Sequence, residues 1–330
     1  MTLSNALSAI PLAAFLMAGS APADAQRTAP LAYPSKSMRL IVASTTGASS
    51  DLSGRLIAQK LTESWGQQVI VDNRPGANSI IAGEALIKSV PDGHTLFLTT
   101  FTHVINPLVV PNLPYDAIKD FAPVATFTNS PYVLTVNAAV PVTNLQDFIA
   151  HAKSRPGQLN YGTAGIASAA HLTAEILSSQ VGIKLQHIPY KGGGQVLTDL
   201  VGGQLQVYLA TALTTVPYIT NGRIKGLAIA AVARVPALPQ VPTFREAGVP
   251  GFDVKNWFGI SVPAATPRAI VNKLSAEIAR IVSMPDTVAK LASQGGEPFI
   301  STPEQFAALM KTDMARIAKV IKSANITLVN

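Results

Sequence analysis

A chain of 330 residues with 48% apolar and 13% charged side chains can bury a core for one large domain or two medium ones, which excludes a disordered chain or a long charged tail. It contains no cysteine, so disulfides, thiolate metal sites and cysteine nucleophiles are excluded. Its 25 basic and 18 acidic residues give +7, a balance that suits small anions, while the scattered basic residues, with no interleaved aromatics, argue against nucleic acid.

From the N-terminus, residues 6–17 are apolar but too short to cross a bilayer, and Ala23-Asp24-Ala25 offers small residues where a signal peptidase cuts. Residues 1–25 are therefore expected to be a signal peptide, even though no Lys or Arg precedes Arg27. Its removal takes one acid, Asp24, and no base, moving the charge from +7 to +8. No later run is long and apolar enough for a span, so the mature chain is expected to be soluble and exported to the periplasm.

Leu40-Ile41-Val42 reads as a first strand, followed by a loop over residues 44–50 and a helix through Leu52, Leu56, Leu61 and Trp65 that Gly66 ends. Such a loop leaves backbone N–H groups free at the positive end of a helix, where the hydroxyls of Ser44, Thr45, Thr46 and Ser49 can join them around a carboxylate or phosphate. The same pattern also fits an ordinary strand-to-helix connection. Asp51 fits the first helical turn as a favourable charge better than it fits a general base.

A second strand at 69–71, a turn over residues 73–78, a helix through Ile80, Ile81, Ala85 and Leu86, and a strand Thr95–Thr100 come next. Thr99, Thr100 and Thr102 put hydroxyls at the carboxyl end of that strand, where ligands bind in open α/β sheets, although threonines there can also merely pack. The pattern then restarts with a strand at 133–136, a capping box at 143–146, and a strand that leads into a second small-residue loop at 162–168 and a helix from Ala169 to Val181. Two such loops facing each other would present two helix N-termini to one cleft.

His187 to Tyr190 starts another unit, and Lys191-Gly192-Gly193-Gly194 lacks the P-loop order, so it reads as a turn into a helix through Val196 and Leu200. Strands at 207–210 and 227–231, a proline-rich crossing segment at 236–250 and a strand at 257–262 follow. Thr266-Pro267 and the capping box Thr302-Pro303-Glu304-Gln305 open helices that carry the chain to about Ala324. The five histidines show no metal-ligand spacing, Ser168 and His171 lack a nucleophile elbow, and His171 with Glu175 reads as an i,i+4 pair. No catalytic residue, metal or cofactor is expected.

The motifs RLIV with G-x-x-x-D, NRPGA, PDGHTLFL, INPLVVPNLPYD, KDFAPV, LNYGTAG, HLTAE, HIPYKGG, DLVGGQ, VPTFREAG and WFGISVPAATP occur in this order. Together, over nearly the whole chain from Tyr33, they resemble the Bug-type extracytoplasmic receptors, the solute-binding subunits of tripartite tricarboxylate transporters. The resemblance implies an α/β, two-lobed periplasmic-binding-protein (Venus flytrap) fold, each lobe a mostly parallel sheet flanked by helices. Residues 33–130 plus 257–330 would form domain 1 and residues 131–256 domain 2, with crossing strands near 127–131 and 252–257. It also implies a monomer without enzymatic activity that captures a small di- or tricarboxylate, aliphatic or aromatic, and passes it to membrane permease subunits or a sensor. The expected ligand contacts are Ser44, Thr45, Thr46, Gly47, Ala48, Ser49, Asn78, Thr100, Thr102, Thr163, Ala164, Gly165, Ile166, Ser168 and Thr211.

The chain departs from the family pattern in the first loop, where Ala43 and Ser44 replace a Pro-aromatic pair, Thr46 a proline and Ala48 a glycine, giving a more polar or roomier pocket end. Gln206 and Ala210 stand where acids are common, which disfavours recognition of an ammonium group and favours a dicarboxylate. An exported α/β enzyme using Asp51 or His171 is the rival from another class, and a phosphate or phosphonate receptor is a third reading.

Overall fold

The computed structural model describes residues 33–323 apart from Asp253; the expected signal peptide, residues 1–25, lies outside the described residues. Two sheets organise the chain. The first contains β1 (Met38–Val42), β2 (Val69–Asn73), β3 (Thr95–Thr100), β4 (Phe121–Asn129), β10 (Trp257–Pro263) and the two-residue β11 (Glu297–Pro298), in the order β11-β4-β10-β3-β1-β2. The second contains β5 (Tyr132–Asn137), β6 (Asn160–Thr163), β7 (Gln186–Pro189), β8 (Val207–Thr211) and β9 (Ile224–Ile229), in the order β7-β6-β8-β5-β9. β11 aside, the two orders match strand for strand, so one topology occurs twice.

The sheets are mixed rather than mostly parallel. β1 pairs in parallel with β2 and β3, and β6 with β7 and β8, but β10 is antiparallel to β3 and β4, and β5 is antiparallel to β8 and β9. The reason is the crossing. β5 and β10 are the strands by which the chain enters each lobe from the other one, so they start at the end where their neighbours finish. A short β11 antiparallel to β4 completes the first sheet.

Apolar alternation sets both faces of the sheets. In lobe 1, helix α1 (Ser49–Trp65) turns Ile57, Ala58 and Leu61 onto Leu40, Val42 and Leu98, and α8 (Arg268–Val282) adds Leu274 and Ile278 to the same core. Gly54 of α1 permits this approach, since a Cβ there would meet Val42 Cγ2 at 3.0 Å. Gly66 ends α1 with φ +66°, as a left-handed cap requires. The opposite face is covered by α2 (Ile80–Ile87), Tyr115 and Phe121. In lobe 2, α4 (Leu145–Lys153) and α5 (Ala169–Val181) pack against one face of the sheet, while α6 (Gly193–Val201) and α7 (Ala212–Thr220) pack against the other. The largest apolar cluster joins lobe-2 residues to Phe101, Trp257 and Phe306, so the core is continuous at the crossing.

Three local expectations are corrected, and one helix is found where none was expected. The segment after Thr100 is a helix, α3 (Phe101–Val109), despite Pro107, and that helix ends two residues further on. Asn144, one residue beyond Thr143, caps α4 by accepting from Asp147 N at 2.9 Å. Pro267 is the N-cap of α8 rather than its first helical residue. Residues 236–250 fold back onto lobe 2, with Thr243 bridged to Ile229, before the chain returns. The capping box at α10 (Pro303–Ser323) is formed: Gln305 N donates to Thr302 Oγ1 at 3.2 Å and Thr302 N to Gln305 Oε1 at 2.9 Å.

Candidate functional site

The carboxyl ends of β1, β3, β6 and β8 feed α1, α3, α5 and α7, and these four connections meet in one cleft between the lobes. An inner hollow of about 120 Å³ is lined by Ser44, Ser49, Ser50, Thr100, Thr102, Ser168, Thr211 and Thr214, with Tyr132, Tyr208, Asn256 and Phe258 closing it. It adjoins an outer hollow of about 350 Å³ bordered by Gly76, Asn78, Gly165, Ile166, Tyr190 and Lys191. Ser44, Ser79, Thr102, Ala164 and Ser168 line both, so the two communicate.

Among the described residues no Asp, Glu, Lys, Arg or His lines the inner hollow. Its polarity comes from hydroxyls and from helix N-termini. The N-caps Ala48 of α1, Thr100 of α3, Gly192 of α6 and Thr211 of α7 supply no side-chain cap, and only Ser168 of α5 does so, toward His171 N at 3.3 Å. Uncapped N–H groups at the positive ends of several helices attract negative charge without a neutralising cation. Burial pushes the Tyr132 and Tyr208 phenols up, so both stay neutral.

Each loop is held from below by an acceptor four residues past a backbone N–H in the left-handed region. In lobe 1, Asp51 Oδ2 accepts from Gly47 N (φ +81°) at 2.9 Å, and the same buried carboxylate takes Asn73 Nδ2 at 2.9 Å and Arg55 at 3.0 Å. Burial works against its charge, but the hydrogen bonds from Arg55, Gly47 and Asn73 outweigh it and hold the carboxyl below its usual range. In lobe 2, His171 Nδ1 accepts from Ala167 N (φ +61°) at 3.0 Å. The ring stacks on His187 at 3.9 Å, and His187 Nε2 meets Thr163 Oγ1 at 2.7 Å. Burial pulls both imidazoles down to about 4, and for His187 the neighbouring His171 adds to this. His171 also lies 3.9 Å from Glu175, the i,i+4 partner expected of it, which accepts from the Tyr161 hydroxyl.

The lobes touch across the cleft. Asn78 Nδ2 donates to Ile166 O at 2.5 Å, Ala169 N donates to Thr102 Oγ1 at 3.3 Å, and Asn106 Nδ2 fixes Asn78 by donating to its carbonyl at 2.6 Å. The lip carrying Asn78 is strained, with Ala77, Asn78 and Ser79 at φ +44°, +49° and +73°. Thr45 packs so tightly on Gly192 that a Cβ there would lie 2.3 Å from Thr45 Oγ1, so Gly192 is required by the approach of the lobes. At the crossing, Ser130 N donates to Asn256 O at 3.0 Å and Tyr132 Oη to Asn256 Oδ1 at 3.2 Å.

Of the residues expected from sequence, Ser44, Ala48, Ser49, Asn78, Thr100, Thr102, Ala164, Gly165, Ile166, Ser168 and Thr211 line one hollow or both. Thr45, Thr46, Gly47 and Thr163 line neither. Thr45 packs against Gly192, Gly47 is turned toward Asp51, and the Thr163 hydroxyl is buried between His187 and Gly165. Thr99 is likewise buried, donating to Ser261 Oγ at 2.7 Å. Sequence reading missed Ser50, Ser79, Tyr132, Tyr208, Thr214, Asn256 and Phe258. Thr214 was within reach, one helical turn beyond Thr211, had the strand end at Thr211 been read as another strand-to-helix junction.

Two α/β lobes closing on a hollow built from strand ends and helix N-termini define a cleft receptor of the periplasmic-binding-protein class. Residues 54–326 match the model of the tripartite tricarboxylate transporter family receptor. The chain is 32% identical to protein BugT of Bordetella pertussis over 292 residues, covering 88% of this chain and 90% of that protein. It is similar to a solved periplasmic transporter (36% identity, TM-score 0.88, 90% of this chain and 100% of that one) and to R. palustris Rpa4515 with adipate (34% identity, TM-score 0.86, 89% and 99%). The chain belongs to the tripartite tricarboxylate transporter receptor family.

Proposed function

We propose that this protein is a periplasmic receptor that captures a small carboxylate between its lobes and presents it, unaltered, to the permease subunits of a tripartite tricarboxylate transporter. The observation that carries the reading is the inner hollow, which combines hydroxyls and uncapped helix N-termini with no charged side chain. A ligand carboxylate there accepts hydrogen bonds from the hydroxyls of Ser44, Ser49, Thr102 and Ser168 and from backbone N–H groups at the uncapped N-terminus of α1, each contributing about 1.5 to 3 kcal/mol net for a charged partner. Solved relatives support the ligand class, since Rpa4515 is described with adipate.

In this reading residues 33–130 plus 257–330 form one moving body and residues 131–256 the other, hinged at the paired crossing segments around Ser130 and Asn256. The protein acts as a monomer, reaching the periplasm by an N-terminal signal peptide cut after Ala25. Gln206 and Ala210, from which sequence alone drew a dicarboxylate preference, line neither hollow, and Gln206 Oε1 accepts from Asn160 N at 3.1 Å at the start of β6; the preference rests instead on the relative solved with adipate.

The test is thermal shift with succinate, adipate, citrate, terephthalate, aspartate, glutamate and phosphate, joined to mass spectrometry of ligand released on denaturation. Stabilisation by one or more carboxylates, with the ligand recovered intact, is expected. Stabilisation by phosphate alone, or recovery of a converted product, would overturn the reading.

A further inference from the structure

We propose that Lys191 reads a second negative charge on the ligand and makes the site selective for small dicarboxylates over monocarboxylates. The inference rests on the carboxylate-receptor reading of the same cleft.

Three observations converge on it. The first is the division of the cleft. The inner hollow can satisfy one anionic group through hydroxyls and helix N-termini, whereas Lys191 is the charged side chain on the outer hollow, which communicates with the inner one through Ser44, Thr102, Ala164 and Ser168. A ligand whose first carboxylate lies inside extends its other end toward Lys191.

The second is that this charge has no partner in the protein. Lys191 makes no ion pair or hydrogen bond among the described residues. The arginines nearest the lobe-1 loops line neither hollow and are engaged elsewhere, Arg55 with Asp51 at 3.0 Å and Arg74 with Asp72 at 2.8 Å. The neighbouring acid Asp199 accepts from the Tyr190 hydroxyl at 2.6 Å. An ammonium beside an enclosed anion site, with neighbouring acids occupied, is free to pair with the ligand.

The third is placement. Lys191 directly precedes the Gly192 N-cap of α6, and Gly192, pressed on Thr45, anchors this turn across the cleft. Lobe closure thus carries the lysine to the mouth of the site, and its charge adds to the uncapped N-terminus of α6.

Calorimetry with adipate and hexanoate, six-carbon acids that differ by one carboxylate, tests this on the full mature chain. The wild type is expected to bind adipate at least about tenfold tighter than hexanoate. Lys191→Met should shrink that ratio by roughly fivefold or more, while Lys191→Arg, which keeps the charge, should hold it within about twofold. Because Lys191 is exposed, both variants are expected to fold, and an unchanged melting temperature verifies this. A wild type that does not discriminate between the two acids, or a Lys191→Met variant with an unchanged ratio, overturns the inference and leaves the receptor reading standing. If no carboxylate of the wider panel binds the wild type, the receptor reading itself fails.

Discussion

The β1–α1 and β6–α5 connections do the same structural job with opposite chemistry. Each carries a residue at positive φ, Gly47 or Ala167, whose N–H is held by an acceptor four residues later, Asp51 or His171. In lobe 1 the acceptor is an ionised carboxylate braced by Arg55 and Asn73; in lobe 2 it is a neutral imidazole stacked on a second one. What the two loops share is a hydrogen-bond acceptor at a fixed offset, which shapes the backbone to offer hydroxyls and N–H groups to the cleft. Charge beneath the loop is secondary, and the two bases should therefore respond differently to mutation and to pH.

Removing the charged base has the largest expected effect. Asp51→Leu strands Arg55, Asn73 Nδ2 and the Gly47 N–H at once and should lower stability by about 3 kcal/mol in chemical denaturation, with carboxylate affinity falling alongside. A loss below 1 kcal/mol would mean that the first loop keeps its shape without this acceptor.

Acid separates the bases next. Burial holds His171 and His187, and the buried His103 of α3 whose Nε2 meets Ala117 O at 2.9 Å, down to about 4, below the ordinary 6.5, so the unfolded chain binds more protons between those values and stability falls as pH drops from about 6.5 toward 4. The Asp51 contribution, with its carboxyl held below 3.8, is lost only beneath that pH. Between pH 7 and pH 5 the melting temperature is expected to fall by at least about 4 °C. A flat profile across that interval would show that the imidazoles are not held neutral.

His171→Phe sharpens the comparison by keeping an aromatic ring in the stack while removing Nδ1, leaving the Ala167 N–H without its acceptor. The expected cost is about 1.5 kcal/mol, with a shallower decline of stability between pH 7 and pH 5. Equal pH slopes in variant and wild type would place the titration elsewhere. The smallest effect concerns the lip. Asn78→Ala removes the bond to Ile166 O and should speed ligand release in stopped-flow measurements by roughly fivefold, worth about 1 kcal/mol.

Much of this was legible in the sequence because strand, hydroxyl loop and helix carry local signals. Thr95–Thr100 and Ala169–Val181 are found where periodicity puts them, and both cleft loops carry the small-residue and hydroxyl pattern between strand and helix. What periodicity could not supply is direction and partnership. β5 and β10 run against their neighbours because of where the chain crosses, a long-range fact that leaves no local trace. The Thr163 hydroxyl looks available from sequence, yet His187, 24 residues away, occupies it. Tyr132 and Asn256 reach the hollow only because the two crossing segments pair, and α3, which carries Pro107, is an element that the sequence reading did not assign.

The most direct test is a crystal structure of the mature protein soaked with the carboxylate that stabilises it most. The ligand's carboxylate is expected between the N-termini of α1 and α5, within hydrogen-bond reach of Ser44, Ser49 or Ser168. A carboxylate bound elsewhere, with this hollow filled by solvent, would contradict the account.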